Sequence, residues 1–148
     1  MQELSMFLHL AGAVVWVGGM AFVLLALRPV AIAQMPPPAR IPLLTAVLRR
    51  FFVLVWISIA LLAATGAYMI ATVGMKNAPV GVHAMLAIGL LMIAIFGYIW
   101  LTSFRRLQTA AAAKDWPEAG RQLARIHPLV VTNFLLGWLA IAAVVLMH

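Results

Sequence analysis

The sequence predicts an all-α integral membrane protein: a four-helix antiparallel bundle with N- and C-termini outside. Three observations lead there. The 148-residue chain is 66% hydrophobic and only 9% charged. Its apolar residues gather into four stretches of about 20 residues or more, each long enough to cross a hydrocarbon core. Nine of the ten basic residues fall in the first and third connections between those stretches. A span in lipid must satisfy its own backbone hydrogen bonds, so each stretch is expected to be a helix.

The first span is read over residues 4–27. Met1-Gln2-Glu3 carries no positive n-region, and the apolar run exceeds a signal-peptide core, so this span is expected to be permanent. The connection 28–50 holds Arg28, Arg40, Arg49 and Arg50, and five prolines that predict a stiff, extended segment. The second span, 51–74, ends at a short turn over Met75–Pro79 whose single charge is Lys76. The third span covers 80–103, and the connection 104–127 brings Arg105, Arg106, Lys114, Arg121 and Arg125. Within it Asp115 suits an N-cap with Glu118 three residues on. A short interfacial helix over Trp116–Ile126 should lead into the fourth span, 128–147, with Pro128 in that span's first turn. The positive-inside rule places both basic connections in the cytoplasm. The whole chain, 1–148, reads as one transmembrane domain of a bacterial-type cytoplasmic (inner) membrane.

This asymmetry accounts for the net charge of +7 without nucleic acid; the bilayer is the partner it implies. The absence of cysteine excludes disulfides, thiolate metal sites and c-type haem attachment. Glu3, Asp115 and Glu118, the only carboxylates, lie outside the spans, which argues against a carboxylate-based proton pump. No Ser-His-Asp set, phosphate loop or zinc motif is present.

Two histidines stand inside spans, where an imidazole is costly and marks a partner, cavity or cofactor. His9 lies about five residues into the first helix and His83 about three into the third, so both sit roughly 5–8 Å below the outer boundary. Met6, His9, Ala13, Trp16 and Met20 share a face of the first helix, flanked by Gly12 and Gly19. His83, Ala87, Leu90, Ala94 and Gly97 share a face of the third. Small residues beside an imidazole permit close helix packing or leave a slot for a flat group. Ser58, Thr65 and Thr72 recur every seven residues on the second helix, either back-bonding to their own turn or holding the non-ligating nitrogen of a histidine. Asn133 is expected to bond across helices, His127 and His148 to be solvated, and Trp100 and Trp116 to sit in interfacial belts.

Several segments carry a resemblance. His9-Leu10-Ala11 and Trp16-Val17-Gly18-Gly19-Met20 resemble the opening of the copper-resistance D (CopD) family. Arg50-Phe51-Phe52, Val82-His83-Ala84-Met85, Arg105-Arg106-Leu107 and the run from Asn133 to Gly137 continue it over nearly the whole chain. The resemblance implies a four-helix membrane unit tied by name to copper uptake or tolerance. More distantly, the chain is similar to the HemJ family of membrane protoporphyrinogen oxidases, which implies b-type haem and a quinone-linked oxidation. That family carries a lysine two residues after the second histidine, where this chain has Met85.

Three readings follow. In the first, His9 and His83 ligate haem b for electron transfer, with Trp16, Gly12 and Ala87 against the ring and a quinone or membrane redox partner. In the second, His9, His83 and Met6 bind copper, since thioether and imidazole both suit Cu(I). In the third, the histidines are structural and the chain serves assembly. An oxidoreductase activity stays open, as does the oligomeric state.

Overall fold

The computed structural model describes residues 1–147, so the expectation for His148 lies outside the described residues. Four helices follow one another: α1 over Gln2–Gln34, α2 over Pro37–Val73, α3 over Val80–Ala112 and α4 over Trp116–Leu146. No strand occurs among the described residues. Each helix is long and apolar enough to cross a membrane. At 31 to 37 residues they are about 46–55 Å long, well beyond a hydrocarbon core of about 30 Å. The helices therefore continue past the spans, and this is where the structure departs from the sequence expectations.

The proline-rich connection is not extended. Only Met35 and Pro36 interrupt the helices, and α2 begins at Pro37. Pro37 and Pro38 occupy the first turn, where their missing N–H groups cost nothing, and their fixed φ suits a helix start. Pro42, one turn further, is exposed. Likewise α4 is one helix rather than an interfacial piece followed by a span. Pro128 sits in its interior, not in a first turn, and the Pro128 carbonyl accepts from the Thr132 hydroxyl at 2.8 Å. The start of α4 follows the N-cap half of the capping-box reading, while the Asp115 N–H donates to the Ala110 carbonyl at 2.9 Å instead of to Glu118. Asp115 accepts from the Glu118 N–H at 3.3 Å, while the Glu118 carboxylate pairs with Arg121 and accepts from Gln122 at 2.7 Å.

Between α2 and α3 the chain turns at Gly74, whose φ of 83° ends α2, and passes through one 3-10 turn, Met75–Asn77. Two helices carry a wider π turn, α1 at Val23–Leu27 and α3 at Trp100–Phe104. Both lie toward the basic end.

The helices pack as α1 against α2 and α3 against α4, with α1 also touching α4. Packing is densest from mid-depth to the basic end. There Trp16, Met20, Val55, Phe96, Phe104 and Ile126 belong to one buried cluster. Phe52 is its hub: its ring meets Phe96 at 5.2 Å, Trp100 at 6.2 Å and Phe104 at 4.9 Å, all edge-on. Trp100 stacks on Phe104 at 5.3 Å, a contact made within the π turn. Trp100 thus belongs to this aromatic cluster rather than to an outward belt. Asn133, 2% exposed, donates to the Met92 carbonyl at 3.1 Å and ties α4 to α3, as the sequence suggested. The outward faces are apolar, as lipid requires: Leu25, Leu90, Leu101 and Leu139 are all exposed.

Candidate functional site

His9 is half-buried on the seam between α1 and α2. Its Nδ1 lies 2.9 Å from the Thr65 hydroxyl oxygen. That hydroxyl already donates to the Leu61 carbonyl at 2.5 Å, so its oxygen is left to accept. The His9 Nδ1 therefore carries the proton, and Nε2 presents a lone pair. The ring edge also approaches Gly66, where a Cβ would stand 3.5 Å from Cε1. Ser5, one turn earlier, is buried against the Thr65 carbonyl at 3.5 Å. The Thr65 hydroxyl thus back-bonds to its own turn and also bonds a ring nitrogen of His9. Thr72 only back-bonds, to the Met69 carbonyl at 2.9 Å.

His83 is held differently. Its Nδ1 lies 3.1 Å from the Pro79 carbonyl, the residue that caps α3. A carbonyl only accepts, so here too Nδ1 holds the proton and Nε2 is the free lone pair. The ring is exposed, as are Ala87, Leu90 and Ala94 on the same face of α3. The stripe of small residues below His83 is therefore turned away from the bundle interior. His9 and His83 have no common protein partner among the hydrogen bonds of the described residues. Those residues also contain no group of three or more His, Cys, Asp or Glu side chains that could hold a metal.

The remaining site candidates divide the same way. Met6, one turn before His9, is exposed. Trp16 is 3% exposed and meets Phe96 edge-on at 6.3 Å, so it is core. The slots expected at Gly12 and Gly19 are filled by α2. A Cβ on Gly12 would stand 3.2 Å from the Ser58 carbonyl oxygen, and one on Gly19 would fall 2.2 Å from the Phe51 ring. A haem held between His9 and His83 of one chain does not fit these residues. The glycine slots on α1 already hold α2, and Ala87 lies on an outward face. A single copper ion asks for much less: an imidazole Nε2, with or without a thioether, and no ring-sized slot.

His127 also departs from its expected place. His127, expected to be solvated, lines a cleft at the basic end, and its Nδ1 is buried with no hydrogen-bond partner. Its position before Pro128 gave no sign of this, because the cleft forms only where α1 and α2 pack beside α4.

No curated protein and no solved structure matches the chain. A family model described as copper resistance protein D matches residues 45–147. The match includes His83, Ala87, Asn133 and the Thr65 that orients His9, while Met6, His9, Gly12 and Trp16 precede it. With more than half of its length matched, and with four apolar helices packed in one bundle, this multi-pass membrane chain belongs to the copper-resistance D family.

Proposed function

We propose that this chain handles copper at the outer face of a bacterial-type cytoplasmic membrane, with His9 and His83 as its imidazole ligands and Met6 as a thioether beside His9. The observation that carries the reading is a shared geometry: in both rings Nδ1 lies within hydrogen-bond distance of an oxygen, which favours the Nδ1–H tautomer. Each ring gives its Nδ1–H to a fixed acceptor and keeps Nε2 as a lone pair, the form in which a histidine ligates metal. The family's name supports copper as the cargo. The basic asymmetry supports the orientation, since it sets the histidine end outside. His9 and His83 are then two separate landing points near one membrane face, each with room for ligands from a donor or acceptor of copper.

A Cu(I) competition titration on protein purified without added metal tests this, with a visible spectrum taken on the same sample. We expect Cu(I) to bind and no Soret band to appear. His9→Ala and His83→Ala should each lower the copper bound. Thr65→Val keeps the His9 imidazole but removes its acceptor, and should weaken binding about 10–100-fold. Met6→Leu should weaken it less, because volume is kept and one soft ligand is lost. A Soret band in the wild type, or unchanged copper capacity in both histidine variants, overturns the proposal. Labelling of Asn77→Cys from the cytoplasm alone overturns the orientation.

A further inference from the structure

At the basic end, far from both span histidines, α1, α2 and α4 form a narrow groove, open at the surface and with only about 30 Å3 of water-sized space within it. Its walls are apolar, formed by Leu24, Leu27, Leu44, Leu48 and other aliphatic side chains, and Arg28 and His127 complete the lining. The π turn at Val23–Leu27 supplies part of one wall. Such turns widen a helix locally, re-aim its side chains and recur at functional sites. Two polar groups here lack an explanation within the fold. Among the described residues the only ion pair is that of Glu118 with Arg121, so the half-buried Arg28 has no carboxylate partner. The Nδ1 of His127 is buried without a hydrogen-bond partner, a cost that a fold rarely leaves unmet.

We infer that this cleft binds one anionic phospholipid, with its phosphate on Arg28 and an acyl chain along the leucine wall. The occupant is chosen by charge and by shape. Nine of the ten basic residues lie at this end, which therefore faces the leaflet that attracts Lys and Arg to anionic headgroups. A guanidinium without a counter-ion is a bidentate phosphate ligand, and the leucine wall beside it suits a hydrocarbon tail. His127 adds a ring N–H that a phosphate oxygen can accept. This site is independent of the copper reading and stands whether or not copper binds.

Native mass spectrometry of the full chain in non-ionic detergent tests it, with dioleoyl phosphatidylglycerol, dioleoyl phosphatidylcholine and inorganic phosphate as probes. We expect one phosphatidylglycerol to be retained with roughly tenfold preference over phosphatidylcholine, an energy difference of about 1.4 kcal/mol. Arg28→Gln should abolish that preference, while Arg49→Gln, at an exposed arginine outside the lining, should keep it. Leu24→Trp fills the cleft with Arg28 intact and should lower retention of phosphatidylglycerol. It carries the test if Arg28→Gln fails to fold, its own helix content being checked by circular dichroism. Equal retention of the two lipids overturns the proposal. So does equal loss in Arg28→Gln and Arg49→Gln, which would mean diffuse surface charge, or displacement of the lipid by inorganic phosphate, which would mean an anion site only.

Discussion

The two ends of this bundle are held together by different physics. Toward the basic end, helices meet through large side chains, with Phe52 among Phe96, Trp100 and Phe104, and Val55 and Leu107 fully buried. Toward the histidine end, the buried residues are Ser5, Gly12, Thr65, Gly81 and Ala143. There the contacts are close backbone approaches and polar bonds: His9 to Thr65, Gly12 under Ser58, and the Gly81 N–H to the Met147 carbonyl at 2.9 Å. Lipid offers no hydrophobic drive for helices to associate, so both devices are needed, dispersion through dense side chains and hydrogen bonds through close backbones. This contrast bears on where function can sit. A densely packed aromatic end gives rigidity, and its imidazole, His127, lies in the cleft beside the cluster rather than within it. An end joined by small and polar residues can hold a histidine ring in a fixed tautomer with one nitrogen unused.

Stability measurements in detergent test this contrast. The largest effect is expected for Phe52→Ala, at about 3 kcal/mol, the low side of the range for such truncations in soluble cores. The transfer part is muted because the separated helix keeps Phe52 in lipid, while the lost ring contacts remain. If Phe52→Ala costs no more than a surface change, the basic end is not the rigid one. Gly81→Ala should come next, at about 2 kcal/mol, as overpacking against a backbone that cannot yield. Its Cβ would fall 2.3 Å from the Ala143 carbonyl oxygen and 2.5 Å from that of Met147. A neutral Gly81→Ala would show that the outer end of α3 and α4 is open to repacking. Asn133→Leu should cost less, about 0.6 kcal/mol, the average for a hydrogen bond between membrane helices. Its Oδ1 is already buried without a partner, which further limits the loss. The smallest effect is expected for His83→Ala, within about 0.5 kcal/mol, because the ring is exposed and bonds only its own helical turn. A large destabilisation there would give His83 a structural role and weaken its case as a ligand.

The class of the fold was legible in the amino-acid order alone. Apolar length, the charge asymmetry and the Asp115 cap are local or additive properties that a chain carries wherever it goes, so four helices and the basic end could be read directly. The cross-helix bond of Asn133 was also legible, because an amide in a span has few alternatives to a neighbouring carbonyl. Helix continuity was less so: Pro37, Pro38 and Pro42 read as part of a stiff, extended segment and Pro128 as a first-turn residue, whereas Pro37 and Pro38 start α2 and Pro42 and Pro128 lie inside continuous helices. The candidate site divided along the same line. Depth was computable from residue counts, and it put His9 and His83 at one level. The direction each ring faces was not, because it depends on how each helix is rotated against its neighbours. Tertiary packing turned His9 onto the α2 seam, turned the His83 face outward, filled the Gly12 and Gly19 slots with α2, and closed a cleft around His127 that its own segment does not encode. Periodicity says which residues share a helix face; only the packing of the other helices decides whether that face meets a partner, a ligand or lipid.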